Sequence, residues 1–175
     1  ASTADKAIAA GADIINDVWG LMHGRDHSER SAWRDIASGT TDASAKSMPP
    51  ITPMARVAAA RKAPLILMHN RPDRDYRSFV EDVLLDLKAG IALARAAGIP
   101  AHQLCLDPGF GFAKDVPQNL EILRELHRIV ALGHPVLVGT SRKSTLGIVT
   151  GSPVGERIEA SGATVWALLR VNGTL

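Results

Sequence analysis

The chain has 175 residues, 46% of them hydrophobic and 22% charged, with a formal net charge of +2; that is enough for one domain with a sizeable core. Aromatic residues make up only 4%, and no basic run carries interleaved aromatics, so nucleic-acid binding is excluded as an expectation. No apolar stretch long enough to span a membrane and no secretory leader is visible, and the single cysteine, Cys105, points to a reducing, cytoplasmic compartment with a thiol in the core.

The chain begins inside a helical pattern without Met, which reads as a fragment. Residues 2–10 read as the end of a helix closed by Gly11. Ala12 to Val18 follows as a buried parallel strand. Residues 23–50 are rich in Ser, Thr, Asp, Arg and His and end in Pro49-Pro50; they read as a polar surface insertion with one helical turn near Trp33. Thr52-Pro53 has the N-cap and N1 signature of a helix running to about Lys62. Pro64 to Met68 is the next strand. From Ser78 to Ala97, Val80, Val83, Leu84, Leu87, Ile91 and Ala94 recur on one helical face, and Gly98 ends the element. Gln103 to Leu106 reads as a third strand. Pro117 to Val130 reads as a helix with Leu120, Leu123, Leu126 and Val130 inward. Pro135 to Val138 is a fourth strand, and Ser152-Pro153 opens a last helix to about Arg170. Strands and helices alternate with connections long enough for crossovers, so the fold class is α/β with a parallel sheet. Four strands make either a small open sheet or part of an eight-stranded barrel.

Polar groups follow each strand, where parallel α/β folds bind ligands. In Leu106-Asp107-Pro108-Gly109-Phe110-Gly111-Phe112-Ala113-Lys114, the Asp107 carboxylate is either an acceptor for a planar heterocycle bearing an amino group or a turn-former. The third glycine of a dinucleotide loop is missing. Gly139-Thr140-Ser141-Arg142-Lys143-Ser144-Thr145 combines cations, hydroxyls and a helix start, suited to an anion or an electron-rich group, or to a solvated basic loop; it is not a Walker A loop. Asn16 in Ile14-Ile15-Asn16-Asp17-Val18 offers a donor and an acceptor, and strand alternation sends Asn16 and Val18 to one side and Asp17 to the other. Met68 would wall a flat ligand, and His69 reads as a satisfied structural histidine rather than an acid–base group. His23 and His27 lack the partners of a zinc site, and Trp19, Trp33 and Trp166 read as packing residues.

IINDV, LMHNR, LDPGFGFAK and VGTSRKS, in this order and each at a strand end, resemble the dihydropteroate synthase family. The resemblance implies a parallel (β/α)8 TIM-barrel fold, incomplete, with about four βα units present in a single domain over 1–175 and the N-terminal strands and last strand missing. It implies condensation of 6-hydroxymethyl-7,8-dihydropterin diphosphate with p-aminobenzoate, releasing pyrophosphate. Mapped by motif, Asn16, Val18, Met68, Asp107, Gly139 and Lys143 would form the pterin site. Phe112, Ser141 and Lys143 would border p-aminobenzoate, with Asp107 and Lys143 catalytic. Mg²⁺ is the implied cofactor, its main ligand lying outside this chain, and a homodimer is the implied assembly. The chain alone is expected to have little or no activity. Two other readings compete: a pterin methyltransferase of the methyltetrahydrofolate–corrinoid kind, which the SRKS cluster disfavours, and a non-catalytic pterin-binding remnant.

Overall fold

The computed structural model describes residues 1–41 and 48–171. Helix α1 (Ser2–Ala9) leads through Gly11, whose φ of +102° lets the chain reverse, into strand β1 (Ile15–Asp17). Helices α2 (His27–Ser38) and α3 (Pro53–Arg61) separate β1 from β2 (Leu65–Met68), and the long helix α4 (Phe79–Ala96) leads to β3 (Leu104–Asp107). Helices α5 (Val116–Arg124), α6 (Leu126–Val130), α7 (Ser144–Thr150) and α8 (Ile158–Leu168) complete the described chain.

The strands pair in parallel in the order β1-β2-β3, with Ile15 opposite Leu65 and Leu65 opposite Leu104. Side chains alternate across the sheet. Ile15, Leu65, Leu67, Leu104 and Leu106 face the helices and are buried with Val83, Leu87 and Leu93 of α4. Asn16, Ile66, Met68, Cys105 and Asp107 occupy the opposite face. Cys105 is therefore half-buried on that open face, not in the core as its apolar neighbours suggest.

The segment expected as a surface insertion contributes to the core. Asp26 caps α2 by accepting from the Glu29 N–H at 2.9 Å, and Gly39 closes it in the left-handed conformation. Trp33 is completely buried where α2 packs on α4. Arg34 fastens the two helices, its guanidinium 2.9 Å from Asp82 and 2.7 Å from Asp86. The polar residues of 27–38 clothe one side of a three-turn helix whose other side is apolar. Residues 42–47 of the expected insertion lie outside the described residues.

Other boundaries also shift. The helix expected over 117–130 breaks at Glu125 into α5 and α6, which bury Ile122, Leu126 and Ile129 and leave Leu120 exposed. Pro135 to Val138 lies beside β3 but makes a single parallel bridge, Leu106 to Val136, because Leu106 alone exchanges backbone hydrogen bonds with it, at 2.8 Å each. Ser152-Pro153 opens only a 3₁₀ turn at Val154–Glu156; α8 starts after Arg157, whose side chain turns back to earlier carbonyls. Trp166 is exposed beneath the Arg170 guanidinium, so it is not the packing residue expected.

Candidate active site

The site lies at the carboxyl ends of the strands, where register fixes its layout. Met68 pairs with Asp107, and Asn16 pairs with Ile66, which pairs with Cys105. All share the open face, while Asp17 points away, as strand alternation predicts. The buried Asp17 carboxylate accepts from the backbone N–H groups of Trp19 and Leu21 at 3.2 and 2.7 Å, so it shapes the turn that leaves β1. Asn16 and Val18 are exposed and Met68 is buried. Two strand spacings and two residue rises put Asn16 roughly 12 Å from Asp107, a gap for a flat ligand and too wide for direct contact.

The segment after β3 is fixed residue by residue. Asp107 accepts from the Gly109 N–H at 2.7 Å, closing the turn. Its second carboxylate oxygen has no hydrogen-bond partner among the described residues. Burial raises its pKa, against the Gly109 N–H and the Lys143 and Lys114 cations. Gly109 takes φ +69°, and a Cβ there would run into the His69 carbonyl, so only glycine fits. The Gly111 N–H donates to Asn119 at 2.6 Å, and Tyr76 Oη donates to the Ala113 carbonyl at 2.9 Å. Burial raises the Tyr76 hydroxyl to about 12, so it stays a donor.

Beneath this segment lies a buried polar chain that the sequence reading did not contain. Lys114 Nζ donates to the carbonyls of Gly109 and Phe112 at 3.1 and 3.0 Å and to His69 Nδ1 at 2.9 Å. His69 Nε2 then donates to Asp86 at 3.1 Å, which sets the tautomer. Arg71 reaches the same Asp86 oxygen at 2.7 Å and stacks 4.4 Å over the Tyr76 ring. Burial first, and the facing Lys114 cation second, push His69 down to about 4. It is a neutral, fully partnered structural histidine, as its sequence context suggests. Burial likewise pushes the Lys114 ammonium down to about 7, against the pull of Asp107 and Asp86. Burial alone would raise Asp86, but the His69 and Arg71 donors outweigh it and hold it well below the usual carboxylate range. One cue was legible: Asp82 and Asp86 stand four apart on a largely buried helix, a like-charge pair that needs cations.

The second loop meets the first at Lys143. Its Nζ lies 4.4 Å from the centroid of the Phe112 ring, and its stem lies against Gly111, where a Cβ would be 3.2 Å from Lys143 Cδ. Phe112 and Lys143 are half-buried, whereas Gly139, Ser141 and Arg142 are exposed. Thr140 is buried and shares a hydrogen bond with Thr164 of α8 at 2.8 Å. The structure thus brings Asp107, Phe112 and Lys143 together, sets Met68 beside Asp107, and keeps Asn16 and Val18 on the same face farther along the sheet.

Among the described residues no group of three His, Cys, Asp or Glu side chains could hold a metal ion. The donors among the described residues do not form a Mg²⁺ site of their own. His23 and His27 are exposed, with His23 edge-on to Trp19. No helix among the described residues is long and apolar enough to cross a membrane.

Comparison with known proteins identifies the family and the fold. The family described as "Pterin binding enzyme" matches residues 1–173. A dihydropteroate synthase of Clostridium beijerinckii is 42% identical over 164 residues, covering 94% of this chain and 51% of that protein. The crystal structure of dihydropteroate synthase from Clostridium difficile in the presence of pteroic acid superposes with a TM-score of 0.79 at 31% identity, covering 99% of this chain and 57% of that one. The Thermus thermophilus enzyme in complex with 4-aminobenzoate gives a TM-score of 0.75 at 34% identity, covering 99% and 63%. The chain spans about half the length of the curated relatives it matches. Its fold is the expected parallel (β/α)8 type, present in part.

Proposed function

Because the chain belongs to the pterin-binding enzyme family, we propose that its strand-end site serves dihydropteroate synthesis, joining a dihydropterin diphosphate to p-aminobenzoate. The convergence of Asp107, Phe112 and Lys143 carries this reading: an acid and an aromatic wall from the segment after β3 meet an ammonium from the loop before α7. The relatives solved with pteroic acid and with 4-aminobenzoate support the same ligand classes.

In this reading Asp107 and Asn16 anchor the pterin ring, with Met68, Val18 and Gly139 lining its slot. Phe112, Ser141 and the Lys143 stem border the arylamine. The C–O bond between the pterin methylene and the diphosphate breaks, and pyrophosphate leaves with the electron pair. The arylamine nitrogen lone pair then forms the C–N bond, and its proton passes to solvent or to the released pyrophosphate. The Asp107 carboxylate, in a pocket of low dielectric, stabilises positive charge developing on the pterin. Lys143 spans the two ligands from its place on Phe112. No strong base is required, which fits a His69 sealed in its own network. The described residues supply no ligand set for Mg²⁺, and none of these steps runs through that ion. A cytoplasmic homodimer completes the proposal.

The test is pterin binding by titration calorimetry. Asp107→Asn removes the charge from an anchoring hydrogen bond and should weaken affinity by about 1–3 kcal/mol, roughly 5- to 150-fold. Unchanged affinity would remove Asp107 from the ring site.

A further inference from the structure

Lys143 is held at two ends. Its side chain lies on Gly111 and Phe112. Its backbone is held by Arg157, the residue just ahead of α8. The Arg157 Nη1 donates to the carbonyls of Arg142 and Lys143 at 3.1 and 3.2 Å, and its Nε donates to the Ser152 carbonyl at 3.0 Å. One planar guanidinium thus gathers the residue before Lys143, Lys143 itself and the end of the α7 connection. A lysine, a single point charge, could not reproduce that fork.

The seat of this guanidinium is Gly147. Gly147 lies inside α7 and does not occupy the left-handed region, so its presence is not a backbone requirement. Glycine inside a helix is unfavourable relative to alanine. What it provides is space: a Cβ at 147 would overlap the Arg157 guanidinium. The held loop also contains Arg142 at φ +57°, an unfavourable conformation for a side-chain-bearing residue, whose own carbonyl is one of the Arg157 acceptors.

We propose that Arg157, seated on Gly147, is a positioning residue for Lys143, setting the ammonium against Phe112 at the junction of the two substrate regions. This rests on the assignment of Lys143 to the site made above, while the geometry of the clamp is independent of it. The pterin anchors Asn16 and Asp107 stand on other strands. Loss of Arg157 should therefore reduce arylamine coupling far more than pterin affinity, which Asn16 and Asp107 still anchor.

The experiment has two arms. In the first, Lys143 in this chain is acylated by an amine-reactive ester and read peptide by peptide by mass spectrometry, with Lys62 and Lys88 as internal controls. Arg157→Ala and Gly147→Ala should each change the Lys143 rate several-fold while Lys62 and Lys88 keep theirs. The double variant should match either single one, because both remove the same contact. An unchanged Lys143 rate, or single effects that multiply, would overturn the clamp. Control lysines that also change would assign Arg157 to general stability and overturn it too. In the second arm, turnover and pterin affinity are measured in the enzyme that carries this chain. Arg157→Ala should lower turnover by about 10- to 100-fold, as expected for a misplaced reacting group. Pterin affinity should fall much less than turnover, and added guanidinium should restore part of the rate. Full turnover in Arg157→Ala beside a dead Lys143→Ala would refute the positioning role and spare the site. Full turnover in Lys143→Ala would instead refute the site itself, and the acylation arm would still decide the clamp.

Discussion

Replacing Lys114 by Met tests the buried chain beneath the loop after β3 directly. Lys114 is 4% exposed and faces His69, Asp107, Asp86 and Arg71. Burial moves its pKa from 10.5 to about 7. The folded protein therefore releases this proton near neutrality, while the unfolded chain keeps it until much higher pH. Where the unfolded state binds more protons, stability rises with pH. Between the two pKa values the slope is about 1.4 kcal/mol per pH unit. Wild type should thus gain about 3 kcal/mol on Lys114→Met between pH 7.5 and 9.5. His69, the shifted group hydrogen-bonded to Lys114, titrates below that window and does not confuse the comparison. Urea unfolding followed by circular dichroism at several pH values supplies the difference. A stability gap between the two proteins that stays constant with pH would show that Lys114 is not the shifted, buried ammonium described, and the explanation of the loop's order would fall with it.

Two further outcomes follow from other parts of the fold. Trp33→Ala should destabilise the protein by about 3–5 kcal/mol in the same assay, since it empties a fully enclosed site; a loss below ~1 kcal/mol would return residues 27–38 to the surface appendage that composition suggested. His69 should stay neutral well into the acid range. Its depressed pKa means that its contribution is intact above pH 6.5 and is lost as pH falls through about 4. An NMR titration of the His69 ring showing a midpoint near 6.5 would contradict its burial between Lys114 and Asp86.

The elements legible in the sequence were those with strong local signals. Thr52-Pro53 caps α3 as its residue types dictate, and the stripe from Val80 to Ala94 is the buried face of α4. The polar groups after each strand were also visible, because a parallel sheet collects them at one end. Helix α2 was hidden by its polar surface, although Asp26, Glu29 and Gly39 carried the marks of its two ends. The pairing of His69 with Lys114 could not be read at all: 45 residues separate them, and neither side chain carries a local pattern that names the other. Asp82 and Asp86 came closest, since their spacing demands a cation without saying which. Arg157 was obscured for a related reason, because the Ser-Pro pair ahead of it promised a helix that begins only after Arg157 has turned back.

The link from Arg34 through Asp86 and His69 to Lys114 has a consequence for recombination. Arg34 sits on α2, yet it shares a carboxylate with the groups that support the loop carrying Phe112. A chimera that exchanges residues 27–38 with a relative's helix would transplant one member of an electrostatic set and strand the others. Breeding such hybrids would succeed only when positions 34, 71, 82 and 86 travel as one inherited block.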